Sequence, residues 1–126
     1  MNSIYTKNAP EPGGHYSQAM VHNGMVFVSG QLPIDPGTGT KFSGEIEAQT
    51  NQVLQNLKSI LEAANSGIAY LLKVNIYISD VSLWDKVNQV YSGFMGNYKF
   101  ARAIVPVKEL HHGFKIELEA IAATRE

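Results

Sequence analysis

Two neighbouring stretches repeat with different periods, and together they restrict the fold more than any other feature. In EIEAQTNQVLQNLKSILEAAN, residues 45–65, the apolar residues Ile46, Val53, Leu54, Leu57, Ile60, Leu61 and Ala64 recur at three- and four-residue spacing. That spacing predicts a helix with one apolar stripe, ended by Asn65 and Gly67. In LLKVNIYIS, residues 71–79, the period is two: Val74, Ile76 and Ile78 share one face, and Lys73, Asn75 and Tyr77 share the other. A one-striped helix beside a two-faced strand calls for helix-on-sheet packing.

The rest of the chain extends this pattern. A short strand is expected near Ser3–Thr6, followed by the Pro- and Gly-rich loop NAPEPGGH. YSQAMVHNGMVFVSG predicts a hairpin, because Asn23-Gly24 suits a type I′ turn. Residues 32–44 form an irregular connection whose glycines match no phosphate-binding pattern. Ser82 and Asp85 suggest a capping pair for a second helix over 83–95, with Trp84, Val87, Tyr91 and Phe94 on one face. ARAIVPV is the next strand, placed at an edge or bulge by Pro106. In FKIELEAIAA, residues 114–123, Phe114, Ile116, Leu118 and Ala120 alternate with Lys115, Glu117, Glu119 and Ile121. The order β-ββ-α-β-α-β-β gives an α+β fold, with both helices on one face of a mixed sheet. The other face is expected to carry Asn75, Tyr77, Arg102, Glu117 and Glu119 among apolar neighbours. Such a face suits packing against another copy, with an intersubunit cleft using the polar groups.

A chain of 126 residues fits a single domain, 1–126. With 44% apolar and 17% charged residues, the balance is globular. A net charge of −1 without a basic run argues against a nucleic-acid surface. The absence of cysteine removes disulfides, thiolate nucleophiles and Cys-bound metals. No apolar run reaches the ~18 residues of a membrane helix, and the first residues lack a signal-peptide pattern. The expectation is a soluble cytoplasmic protein, with no membrane and no nucleic acid among its partners.

Arg102 stands in an otherwise apolar strand, and burying a guanidinium without a partner costs several kcal/mol. One reading pairs it with Glu119 as a structural ion pair. The other separates the two: the guanidinium fork binds a substrate carboxylate, and a carboxylate orients or deprotonates water. Glu117 competes with Glu119 for the second role, and spacing does not choose between them. His15, His22, His111 and His112 show no metal-ligand spacing, so no metal site is expected. Ser17 and Ser29 lack a nucleophile elbow, and Asn88 falls on the polar side of the second helix.

Several ordered stretches, covering roughly residues 8–123, resemble the reactive intermediate deaminase (Rid; YjgF) family. They are YSQAMVHNGMVFVSGQLPIDPGTG, GEIEAQTNQVLQNLKSILEAANS, KVNIYISDVSLWDKVNQVYSGFMG, ARAIVPV and IELEAIA. The resemblance implies a chorismate-mutase-like fold and a homotrimer with three intersubunit clefts. It also implies cofactor-free hydrolysis of 2-iminopropanoate and related enamine or imine acids to 2-keto acid and ammonia. By the same resemblance Arg102 binds the substrate carboxylate and Glu119 positions the water. Tyr16, Ser29, Gly30 and Asn88 line the cleft. Three positions depart from the family: His15 and Phe100 replace prolines, and Ile104 replaces a Cys or Thr, which makes the pocket drier. The rival expectation is a non-catalytic sensor that binds small carboxylates or keto acids in the same cleft. An isomerase of chorismate-mutase type would rest on fold analogy alone.

Overall fold

Eight principal elements are present in the computed structural model, which describes residues 1–125. They are β1 (Asn2–Ile4), β2 (Ala19–His22), β3 (Met25–Gln31), α1 (Ile46–Ala63), β4 (Leu71–Ile78), α2 (Trp84–Met95), β5 (Ala101–Pro106) and β6 (Ile116–Ala123). This is the expected order. Glu126, the last residue of the expected domain, lies outside the described residues. The strands form one sheet in the order β1-β2-β3-β6-β4-β5, in which β4 and β5 run parallel and the other pairs antiparallel. β5 is an edge strand, one of the two placements, edge or bulge, that Pro106 suggests.

Local chemistry explains the boundaries. Asn23 and Gly24 both take positive φ, 51° and 75°, so the hairpin turns where the sequence places it. α1 is followed by Asn65 at φ 56°, a left-handed position that Asn tolerates. Its entry is tied by buried Gln49, whose Nε2 donates to the Gly44 carbonyl at 3.1 Å while its Oε1 accepts from the Lys115 amide at 2.9 Å. The expected Ser82 cap is replaced by Asp80, whose carboxylate accepts from the Ser82 amide at 2.8 Å. An Asp at that point folds the chain into a short turn over Val81–Leu83, so α2 starts at Trp84.

Both helices lie on one face of the sheet. Val53, Leu54, Leu57, Ile60 and Leu61 of α1 join Val87 and Tyr91 of α2 in one core with Val26, Val74, Ile76, Ile78, Leu118 and Ala122. The opposite face carries Asn75, Tyr77, Glu117 and Glu119, together with the neighbouring apolar side chains Met20, Phe27 and Ile121. Phe27 is 45% exposed there, an apolar side chain left without cover in the single chain.

One expectation about the faces is corrected. Arg102 pairs with Val74, and Ile104 with Ile76, in the parallel β4–β5 ladder. Paired residues point the same way, so Arg102 and Ile104 face the helices rather than the side that bears Glu119. Ile104 packs against the core. The parity of an isolated strand does not say which face is which; the register against β4 does.

Candidate functional site

β3 carries one extra residue between Val28 and Gln31, which pair with Ala120 and Leu118 of β6. This bulge sits at Ser29-Gly30. Bulges re-aim side chains and often occur beside active sites. Ser29 is fixed there, its hydroxyl donating to the Ser17 carbonyl at 2.6 Å and its amide to Gln18 O at 3.0 Å. Gly30 leaves room for the Glu117 carboxylate: a Cβ at this position would meet it and push that side chain aside. Tyr16 completes the wall, its hydroxyl accepting from the Gly13 amide at 3.2 Å. The loop that carries Tyr16 is held by Gln18, almost fully buried, which accepts from the Thr6 amide and donates to the Thr6, Ala9 and Pro10 carbonyls.

These residues surround a cavity of about 330 Å³, lined by Tyr16, Ser29, Gly30, Leu32, His111 and Glu117. It shares Tyr16, Gly30, Leu32 and His111 with a neighbouring chamber of about 380 Å³, which continues to Pro10, Ile34 and His112. Burial holds the Glu117 carboxyl above the ordinary 4.5, the Glu119 charge raises it further, and His111 pulls the other way. The folded chain therefore keeps this proton where the unfolded chain has released it. The stability so contributed is complete below about 4.5 and is lost as pH rises through the raised value. Glu117→Gln, neutral throughout, is expected to gain in Tm relative to the parent as pH rises from acid to neutral; paired thermal melts across that range check this.

Glu119 lies elsewhere. Its Oε2 accepts from the Tyr77 hydroxyl at 2.5 Å and lies 3.4 Å from Asn75 Nδ2, and it lines a separate small cavity with Phe27, Val28 and Ile121. The Tyr77 hydroxyl holds its proton above the usual range, chiefly because it donates to Glu119. The carboxylate that the structure brings to Tyr16, Ser29 and Gly30 is thus Glu117 and not Glu119. The two glutamates share a face, but only Glu117 reaches the bulge.

Arg102 forms a second group. Its Nη1 donates to Asn88 Oδ1 at 2.7 Å, and the guanidinium lies 4.9 Å from the Tyr91 ring centre and 5.6 Å from that of Trp84. Trp84, Asn88 and Tyr91 fall at i, i+4 and i+7 on α2, so one helix face cradles the cation. Asn88, placed on the polar side by the sequence, is in fact the hydrogen-bond partner of Arg102. No carboxylate of the described residues forms an ion pair with Arg102; the ion pair found among them is Lys86–Glu47. A cavity of about 380 Å³ beside it is lined by Tyr91, Tyr98, Lys99 and Phe100. Tyr98 stacks on Phe100 with ring centres 5.3 Å apart.

The two groups do not meet within one chain. Tyr16, Ser29, Gly30 and Glu117 belong to β3, β6 and the loop before β2, whereas Arg102 and Asn88 belong to the far edge and the helix layer. His15 is exposed in the bend before Tyr16.

Residues 6–124 match the family model described as Endoribonuclease L-PSP. A solved Yersinia pestis structure, described as a protein of unknown function of the conserved Rid protein family, is 40% identical with a TM-score of 0.93, covering 98% of each chain. The chain belongs to the Rid (L-PSP) family. A RutC family protein of Pyrococcus horikoshii is 46% identical over 119 residues, 94% of each sequence. Escherichia coli TdcF, solved with bound serine, is 32% identical with a TM-score of 0.93 over 98% of each chain. The fold is that of Rid proteins, and membership supports a family-level role in imine or enamine deamination or small-molecule binding. No helix of the described residues is long and apolar enough to cross a membrane.

Proposed function

We propose that the protein hydrolyses 2-imino and enamine acids, such as 2-iminopropanoate and 2-iminobutanoate, to the 2-keto acid and ammonia, in clefts between the copies of a homotrimer. The observation that carries this reading is the unpaired Arg102 guanidinium. It is oriented by Asn88, stacked on two aromatic rings and without a carboxylate partner among the described residues. Such a fork accepts a carboxylate bidentately. Exposed Met20 and Phe27, with half-buried Ile121 beside them on the open sheet face, give a second copy a surface to cover. Assembly would bring the Arg102 group of one copy to the Glu117 group of the next.

Arg102 anchors the substrate carboxylate. Glu117 takes a proton from water, whose oxygen then adds to the imine carbon. The carbinolamine collapses to the keto acid as ammonia leaves. Its heightened hold on a proton suits Glu117 to accepting one at neutral pH. Ser29, Gly30 and Tyr16 shape the pocket, and Asn88 steadies the anchor. The imine carbon is already electrophilic, so positioning supplies the modest acceleration needed, and no step calls for a metal or cofactor.

A second reading, a sensor of small carboxylates, is favoured by the dry Phe100 and Ile104 near the anchor and by the serine bound to TdcF. A coupled assay separates the two. Threonine dehydratase, threonine and semicarbazide are combined with and without the protein. Deamination lowers the trapped imine and raises free 2-oxobutanoate; a sensor binds 2-oxobutanoate and leaves the trapped imine unchanged.

A further inference from the structure

His111 and His112 are outside the chemistry so far, yet His111 lines both the Glu117 cavity and the chamber that adjoins it. It sits on a braced turn rather than a loose loop. The Gly113 amide donates to the Leu110 carbonyl and the Phe114 amide to the His111 carbonyl, both at 3.2 Å. His112 takes a left-handed φ of 59°. That conformation lays its ring against His111, centres 3.8 Å apart, and edge-on to buried Phe114 at 5.8 Å. The Lys115 amide then ties the turn to Gln49 of α1. An imidazole is therefore held at the wall of the cavity that also contains a carboxylate.

We propose that His111 is the proton donor to the substrate nitrogen, working with Glu117 as the base; this rests on the deaminase reading above. As the water oxygen bonds to the imine carbon, its proton passes to Glu117, and the C=N π pair moves to nitrogen, which takes a proton from the His111 imidazolium. The carbinolamine nitrogen next takes the Glu117 proton. The C–N bond breaks with its electron pair leaving on ammonia, and the hydroxyl proton returns to His111 as the carbonyl forms. Both side chains end as they began, and the sum is imine plus water to keto acid plus ammonia.

The titratable and charged groups around His111 are Glu117 on β6, Tyr16 and Glu11 on the segment before β2, His112 beside it, Lys41 near His112, and Lys108 and Glu109 on its own segment. His111, and not its neighbour His112, lines the cavity that holds Glu117, so the proton donor is assigned to His111.

The test measures keto-acid formation from 2-iminobutanoate against pH, corrected for uncatalysed hydrolysis, for the parent protein, His111→Gln, His112→Asn and Glu117→Gln. His111 is exposed, and native mass and Tm verify that each variant assembles. His111→Gln is expected to lower kcat/KM about a hundredfold or more near neutrality. It should also remove the loss of rate with rising pH that a cationic donor predicts for the parent. His112→Asn, which keeps a residue tolerant of positive φ, should retain that loss. An active parent whose rate and pH profile survive His111→Gln overturns this proposal alone. A parent without activity overturns the deaminase reading and this proposal with it.

Discussion

Arg102→Ala is expected to reduce keto-acid formation about 30-fold to several thousand-fold, the equivalent of removing one partner from a desolvated charge pair at ~2–5 kcal/mol. The chain should still fold and assemble. Arg102 is only partly buried at an edge strand, and its internal ties are one hydrogen bond to Asn88 and two aromatic contacts. Losing those costs about 1–2 kcal/mol of stability. Arg102→Lys is the sharper variant. It keeps the charge but loses the planar fork, so it should bind substrate weakly and recover only part of the rate. Steady-state kinetics with dehydratase-generated imine, alongside native mass measurement, check both. Full activity in Arg102→Ala at unchanged mass would remove the anchor from the mechanism.

The fold was legible because its elements announce themselves by period. The α1 stripe, the alternation in β4 and β6, and the Asn23-Gly24 turn are local signals that need no knowledge of neighbours. Membership of the family was legible too, since several motifs occur in order across the chain. The site was legible in its residue types and less so in its arrangement. Arg102 stood out as a charge in an apolar strand, but its face depends on the register with Val74, a long-range fact. Helix periodicity puts Asn88 on the polar side of α2 but does not show that an edge-strand cation lies within its reach. Glu117 and Glu119 occupy equivalent positions in an alternating strand. What separates them is the bulge at Ser29-Gly30 on the neighbouring strand, which sequence spacing does not encode. His111 carries no motif at all. Its relevance comes from a turn that brings residue 111 beside residues 16 and 30.

That distinction between the two glutamates supplies the second large effect. Glu117→Gln is expected to lower turnover by at least about a hundredfold, the usual scale for losing a positioned base. It should leave KM nearly unchanged, because Arg102 still holds the carboxylate. Glu119→Gln should act differently. A glutamine oxygen can still accept from the Tyr77 hydroxyl, so the loss is one charge-assisted bond on the open sheet face, appearing in stability or assembly rather than in kcat. Gly30→Ala provides an independent check on the same geometry. The added methyl occupies the place of the Glu117 carboxylate, a flexible side chain that can swing aside, so folding should persist while the base is displaced. Its kinetics should therefore resemble those of Glu117→Gln: low kcat, preserved KM, normal assembly. If Glu119→Gln instead abolishes turnover while Glu117→Gln retains it, the water-activating carboxylate faces the Tyr77 side of the sheet, and the cavity at the bulge is not where the imine reacts.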